Sequence, residues 1–219
     1  DALLSHDAHS GNRRHSSRRG LFLMASTFKM TKDDLRAVEQ QIKKLASLRV
    51  MVGVPHESAG RSGEPISNAE LAYIHNFGSP EASIPPRPFL VPGVEAALDP
   101  ITARLRQAAV AALEGDKNKQ NAMLQGVGMI AVASIRKVII GGIPPPLAEA
   151  TVAARIARRK DNKWRAGKKQ AVAANLAAGK APGAGIFTPL IDTGALLNSI
   201  TYVLREVKTG RDIAVGPFK

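Results

Sequence analysis

Cysteine is absent from the 219 residues, so the chain can form neither a disulfide nor a thiolate metal site. That fits a reducing cytosol, or a particle that dispenses with disulfides. Aromatic residues are scarce at 4%, with one tryptophan, while hydrophobic residues reach 44% and many of them are alanine. A core drawn from this set is aliphatic and modest. Acidic residues are also few, 18 against 31 Lys and Arg, for a net charge of +13. Long apolar runs are missing too. The most apolar stretch, Met129 to Ile140, is broken by Ser134, Arg136 and Lys137 and falls short of the roughly 20 residues a bilayer span needs. The sequence therefore predicts a protein with no membrane partner. Arg13, Arg14, Arg18 and Arg19 precede only the short apolar patch Leu21 to Met24, which does not make a signal peptide.

What is present points to one domain with extensions. Residues 1–29, rich in Ser, His, Arg and Gly, read as a flexible basic arm, and Met24 and Met30 are alternative starts within or beside it. Residues 30–219 read as a single α+β domain carrying a basic loop or insertion at about 155–187. Thr31 and Asp34 resemble a capping box, and Leu35, Val38, Ile42 and Leu45 follow at helical spacing, which predicts an amphipathic helix over 32–46. Leu48, Val50, Val52 and Val54 then alternate with Arg49, Met51 and Gly53 as a half-buried strand. Pro55 to Ser67 is a polar loop. Ser67 or Asn68 opens a short helix through Asn76 that Gly78 closes.

From Ala72 to Leu90 the chain passes into a proline-dense arm. Pro85, Pro86 and Pro88 fix their own φ and stiffen their neighbours, which predicts that Arg87, Pro88 and Phe89 form an interface, with Phe89 as anchor and Arg87 as its charged partner. Packing of Phe89 back onto its own helix is the alternative. Long helices are predicted over Val94–Leu113 and Lys119–Ile140, the second weakened by Gly126 and Gly128, whose small size permits close crossing. Gly141, Gly142 and Pro144 to Pro146 break the chain before an alanine-rich helix over Leu147–Arg159. A terminal hairpin, Ser199–Val207 with Asp212–Val215, ends the pattern.

The positive charge is concentrated. Residues 155–180 hold nine Lys or Arg against one acid, Asp161. Arg158, Arg159, Lys160, Lys163, Arg165, Lys168 and Lys169 are the candidates for contact with passing DNA or with an acidic partner surface. Catalytic sets are lacking: there is no cysteine nucleophile, no glycine-serine-glycine elbow and no phosphate-cradling loop, and His56-Glu57 has no partner histidine. The histidines, His6, His9, His15, His56 and His75, show no metal-ligand spacing, and no cofactor is implied. Leu190 to Ala195 resembles the active-site phrase of retroviral-type aspartic proteases, in which paired aspartates share a proton. Only 25 residues follow Gly194, and Leu196 and Leu197 stand where polar residues are usual. The preferred reading is that Asp192 or Thr193 caps a short helical turn; a protease built on Asp192 is the remote alternative.

Several separated segments, in order, resemble the tail-completion and neck proteins of tailed bacteriophages, the virion morphogenesis or minor tail protein group. They are the Val-Gly-Val strand Arg49 to Pro55, the helix Leu71 to Gly78 with its aromatic-glycine end, the Pro-Arg-Pro-Phe phrase within Ile84 to Leu90, Pro146-Leu147 with Thr151 and Arg155, and the Asp-Thr-Gly phrase running from Pro189 to Tyr202. The basic stretch 155–187 is longer than the family pattern, and the arm before Met30 has no counterpart in it. The resemblance implies an α+β fold in which a small antiparallel sheet packs against two or three long helices, and a non-enzymatic role. It implies a structural virion protein that forms a ring, a hexamer or dodecamer, at the head-tail junction. Its partners would be its own copies, a portal-connector or head-closure protein, and a tail terminator or tail tube protein, with genomic DNA passing through. A basic non-specific nucleic-acid-binding protein is the alternative.

Overall fold

The computed structural model describes residues 32–55 and 66–216. The expectations for residues 1–29, the Thr31 cap and most of the Pro55–Ser67 loop lie outside these residues.

The fold is α+β. Three strands, β1 (Leu48–Gly53), β2 (Thr201–Glu206) and β3 (Asp212–Val215), form an antiparallel sheet in the order β1-β2-β3. Leu48 pairs with Glu206 and Gly53 with Thr201, while Val203 faces Val215 across the hairpin. The central strand β2 buries Thr201, Tyr202, Val203 and Leu204 in succession, as expected of a strand covered on both faces. On β1, Leu48, Val50 and Val52 are half-buried and Arg49 and Met51 exposed, the alternation its sequence carries.

Eight helices are described: α1 (Lys32–Ala46), α2 (Asn68–Phe77), α3 (Leu90–Glu95), α4 (Leu98–Leu113), α5 (Lys117–Gly141), α6 (Glu149–Ala157), α7 (Asn162–Ala177) and α8 (Ala195–Ser199). The expected helix over Val94–Leu113 is two helices, because the chain turns at Ala96 and Ala97 before Asp99-Pro100, where a proline fits only a first turn. The first long helix, α1, covers the span its periodicity predicts and packs on α4 and β1. Ser67 opens α2 with a full capping box: its side chain accepts from Glu70 N, and Glu70 reaches back to Ser67 N at 2.8 Å.

The centre of the molecule is α5, which packs on α3, α4, β1 and β2. Its buried residues Leu124, Val127, Gly128, Ala131, Ile135 and Ile139 recur every three or four positions and form one stripe. By length and composition α5 could cross a bilayer, with a mean hydropathy of 1.6 over its most apolar window. Here the sheet and the neighbouring helices cover that stripe. Ile135 and Ile139 are fully buried with Phe89, Leu196 and Ile200 in the largest core cluster. A smaller cluster of Leu147, Val152 and Ile156, with Val172 and Phe187 against it, holds α6 and α7 together.

The basic segment corrects an expectation. Of the two readings of residues 155–187, loop or insertion, the loop does not hold, because they contain the 16-residue helix α7. Asp161 caps it by accepting from Trp164 N at 2.9 Å, and five alanines among its residues outweigh the one glycine, Gly167. Asn175 then donates to the carbonyls of Pro182 and Ala184, folding the following turn back on the helix.

Gly128 and Gly126 lie on the same helix in opposite surroundings. A Cβ at Gly128 would overlap the ring of Tyr202, whereas one at Gly126 meets nothing nearer than Arg104 at 3.8 Å. Gly128→Ala is expected to destabilise by about 1–3 kcal/mol through overpacking. Gly126→Ala is expected to stabilise by up to about 1 kcal/mol. Thermal melts read these as shifts of opposite sign, roughly 2–4 °C per kcal/mol for a chain of this size; shifts of the same sign would contradict the packing of α5 on β2.

Candidate functional site

Gly78 ends α2 with φ of 80°, and a Cβ there would lie 2.9 Å from Ile84 O, so only glycine lets the chain turn this tightly. Ser79 and Ile84 exchange two backbone hydrogen bonds of 2.9 Å, which folds the proline arm back toward α2. Arg87 N then donates to His75 O at 2.8 Å, and Asn76 Oδ1 accepts from Phe89 N at 3.2 Å. The arm is stiff, as its prolines require, but it lies along its own helix.

The interface expected at Arg87, Pro88 and Phe89 is therefore corrected in two of its three residues. Phe89 is fully buried in the main core and Arg87 is 5% exposed; Pro88 alone faces outward. Asn76, a polar residue buried on α2, draws the Phe89 amide inward, and the ring follows into the apolar space beside Ile135. Arg87 turns to the Pro144–Pro146 break, where its Nε donates to Pro145 O at 2.9 Å and its Nη2 to Pro146 O at 3.1 Å.

These contacts enclose a cleft of about 1000 Å³, whose walls come from the arm, from the Pro145–Leu147 segment with α6, and from the turn around Asp192. Three of the phrases that stand far apart in the sequence meet here. Arg155 reaches across from α6 to donate to Thr188 O at 3.2 Å and Ile191 O at 2.8 Å, and it lies over the ring of Phe187. Asp192 lies 2.6 Å from Arg158 Nη2 and 3.8 Å from Arg155 Nε. The helical turn after it is opened by Gly194, with φ of 83°, while Thr193 Oγ1 accepts from Ala195 N. Of the two residues expected to cap this turn, Thr193 bonds to its backbone and Asp192 does not, because its carboxylate is drawn to the two arginines.

The protease alternative turns on a pair of carboxylates. A shared proton needs a second carboxylate close by, and Asp192 is the one carboxylate that lines the cleft among the described residues. Nor do three His, Cys, Asp or Glu side chains come together among the described residues in a way that could hold a metal ion.

The backbone of the cleft is strained. Among the described residues, the non-glycine positions with left-handed backbone are Ser83, φ 52°, and Leu190, φ 66°, and both line it. Such conformations persist where surrounding structure forces them, and they gather at functional sites.

The seven candidate cations of the basic segment do not form one patch. Arg158 belongs to the cleft. Arg159 and Lys168 both lie over the Trp164 ring, at 5.6 and 5.8 Å from its centroid. Arg165 and Lys169 rim a separate apolar groove of about 400 Å³ between α6 and α7. Lys160 and Lys163 are exposed near the turn that joins the two helices. Sequence reasoning named neither Tyr73 nor Phe77 as an interface residue; they are exposed at 66% and 63%, and their rings lie 4.8 Å apart, tilted at 48°, on the outer face of α2. Their i,i+4 spacing, one position beyond the buried Ala72 and Asn76, is the signal that marks them. Comparison of the chain with known protein families, with curated proteins and with solved structures finds no match.

His75 lies against the cleft with its Nδ1 buried and without a hydrogen-bond partner. Burial first, and then the charges of Arg87 and Arg155, lower its pKa below the ordinary 6.5. The folded chain therefore resists the proton that the unfolded chain accepts, so its stability is full above that ordinary value and declines as the pH falls below it. Melting temperature should drop on acidification from about pH 7.5 to about pH 5.5, and His75→Gln should flatten the drop. Equal slopes for the two proteins would contradict the burial of this imidazole.

Proposed function

We propose that the chain is a structural virion protein, a tail-completion or neck component that forms a ring at the head-tail junction of a tailed bacteriophage. The observation that carries this reading is the meeting of the Pro-Arg-Pro-Phe, Pro-Leu and Asp-Thr-Gly phrases around one strained cleft. Those phrases support the resemblance as an ordered set, and their convergence supports a shared role for them. The three arginines of the cleft donate to backbone carbonyls or pair with its one carboxylate, which suits a role in holding segments together.

A ring also needs a surface that meets the next copy. The neighbouring rings of Tyr73 and Phe77 supply an exposed aromatic anchor of the kind that dominates interfaces, in place of the buried Phe89. The exposed cations Arg159, Lys160 and Lys163 suit a face turned to passing DNA or to an acidic connector or terminator protein.

Electron microscopy and analytical ultracentrifugation of the purified chain test this reading. Rings of defined symmetry are expected. Tyr73→Ser combined with Phe77→Ser is expected to abolish them while changing stability by no more than about 0.5 kcal/mol, since both side chains are exposed. A monomer at all concentrations that binds duplex DNA with a steep salt dependence would overturn the ring and favour the nucleic-acid-binding alternative.

A further inference from the structure

The cleft carries more positive charge than its own residues neutralise. Arg87, Arg155 and Arg158 line it against the single carboxylate of Asp192. Arg87 is the most buried of the three and has carbonyls, not a carboxylate, as its hydrogen-bond partners. Arg155, with a side chain 10% exposed, lies 3.8 Å from Asp192, while Arg158 makes the close contact. Desolvation lowers the pKa of both Arg87 and Arg155; the charge of Arg155 adds to the lowering at Arg87, while Asp192 works against it at Arg155. An arginine stays protonated regardless, so the imbalance favours an anion brought from outside.

The remaining walls say what kind of anion. Ile84, Pro86, Leu147 and Leu196 give the cleft apolar sides, and at about 1000 Å³ it admits a few residues of extended chain. A duplex could not enter a recess of that size, and its phosphates would gain nothing from apolar walls. Hydrogen bonds from Arg87 to Pro145 O and Pro146 O and from Arg155 to Thr188 O and Ile191 O tie the walls together before anything binds, which reduces the ordering that binding requires.

We infer that this cleft is a docking site for an extended acidic peptide segment of a partner protein, its carboxylate seated on Arg155 and Arg158 and its apolar or proline neighbours against the walls. The inference rests on the reading of the cleft as a contact between virion proteins. Its test uses the free full-length chain, so a missing ring and a missing peptide interaction are separate results.

The probe is a short fluorescein-labelled peptide of repeated Glu-Pro-Leu, with a Gln-Pro-Leu counterpart, followed by fluorescence anisotropy. The Glu peptide should bind saturably and at least about tenfold tighter than the Gln peptide. Asp192→Asn, which removes the competing carboxylate, should tighten binding by about threefold or more, and Arg158→Glu should weaken it by about tenfold or more. Both positions are partly exposed, and circular dichroism checks that each variant is folded. Equal binding of the two peptides, or variants that fail to move affinity in opposite directions, would overturn the inference. So would an oligothymidylate that binds as tightly as the Glu peptide, or binding that appears only when Glu57 and Glu64 are both changed to Gln, which would assign the cleft to the chain's own loop.

Discussion

The carbonyls of Pro145 and Pro146 lie in a segment that belongs to no helix or strand, and the guanidinium of Arg87 meets both of them. Proline has no amide hydrogen, so a run of three cannot organise itself by backbone pairing. A donor must come from elsewhere, and a buried arginine offers several in a fixed fork. The same residue receives its place from α2, because its own amide donates to His75 O. Through the backbone and side chain of one residue, the helix, the proline arm and the break before α6 are held in one arrangement.

This device is repeated. Arg155 donates to Thr188 and Ile191 carbonyls, and Arg136 on α5 donates to those of Asn198 and Ile200. Each ties a helix to a segment far from it in sequence, Arg155 to the stretch before Asp192 and Arg136 to the junction of α8 and β2. A chain without cysteine and with few aromatics has little else with which to fix its loops. Charge-assisted bonds to carbonyls do so without a partner carboxylate, and this is why the cleft is left with an excess of positive charge.

The sequence revealed those features that depend on neighbours a few residues apart. The spacing of Leu35, Val38, Ile42 and Leu45 locates α1, the alternation from Leu48 to Val52 locates β1, and Ser67 with Glu70 marks the start of α2. The α+β class follows from such local signals. Features set by distant contacts were not legible. Proline spacing gives the stiffness of the arm but not its direction, which Asn76 and the His75 carbonyl determine. Charge density hid α7, whose cap at Asp161 and alanine content are those of an ordinary helix. Nothing in the spacing of Arg87, Pro145 and Asp192 announces that they surround one cavity.

The central proposal is that this cavity joins the chain to another protein in a virion. A cryo-electron microscopy map of the particle neck, resolved well enough to place side chains, tests it most directly. The account predicts density from another chain inside the cleft, with an acidic side chain within hydrogen-bonding reach of Arg155 and Arg158. A neck in which every copy leaves the cleft open to solvent, or a particle that lacks the chain altogether, would contradict it.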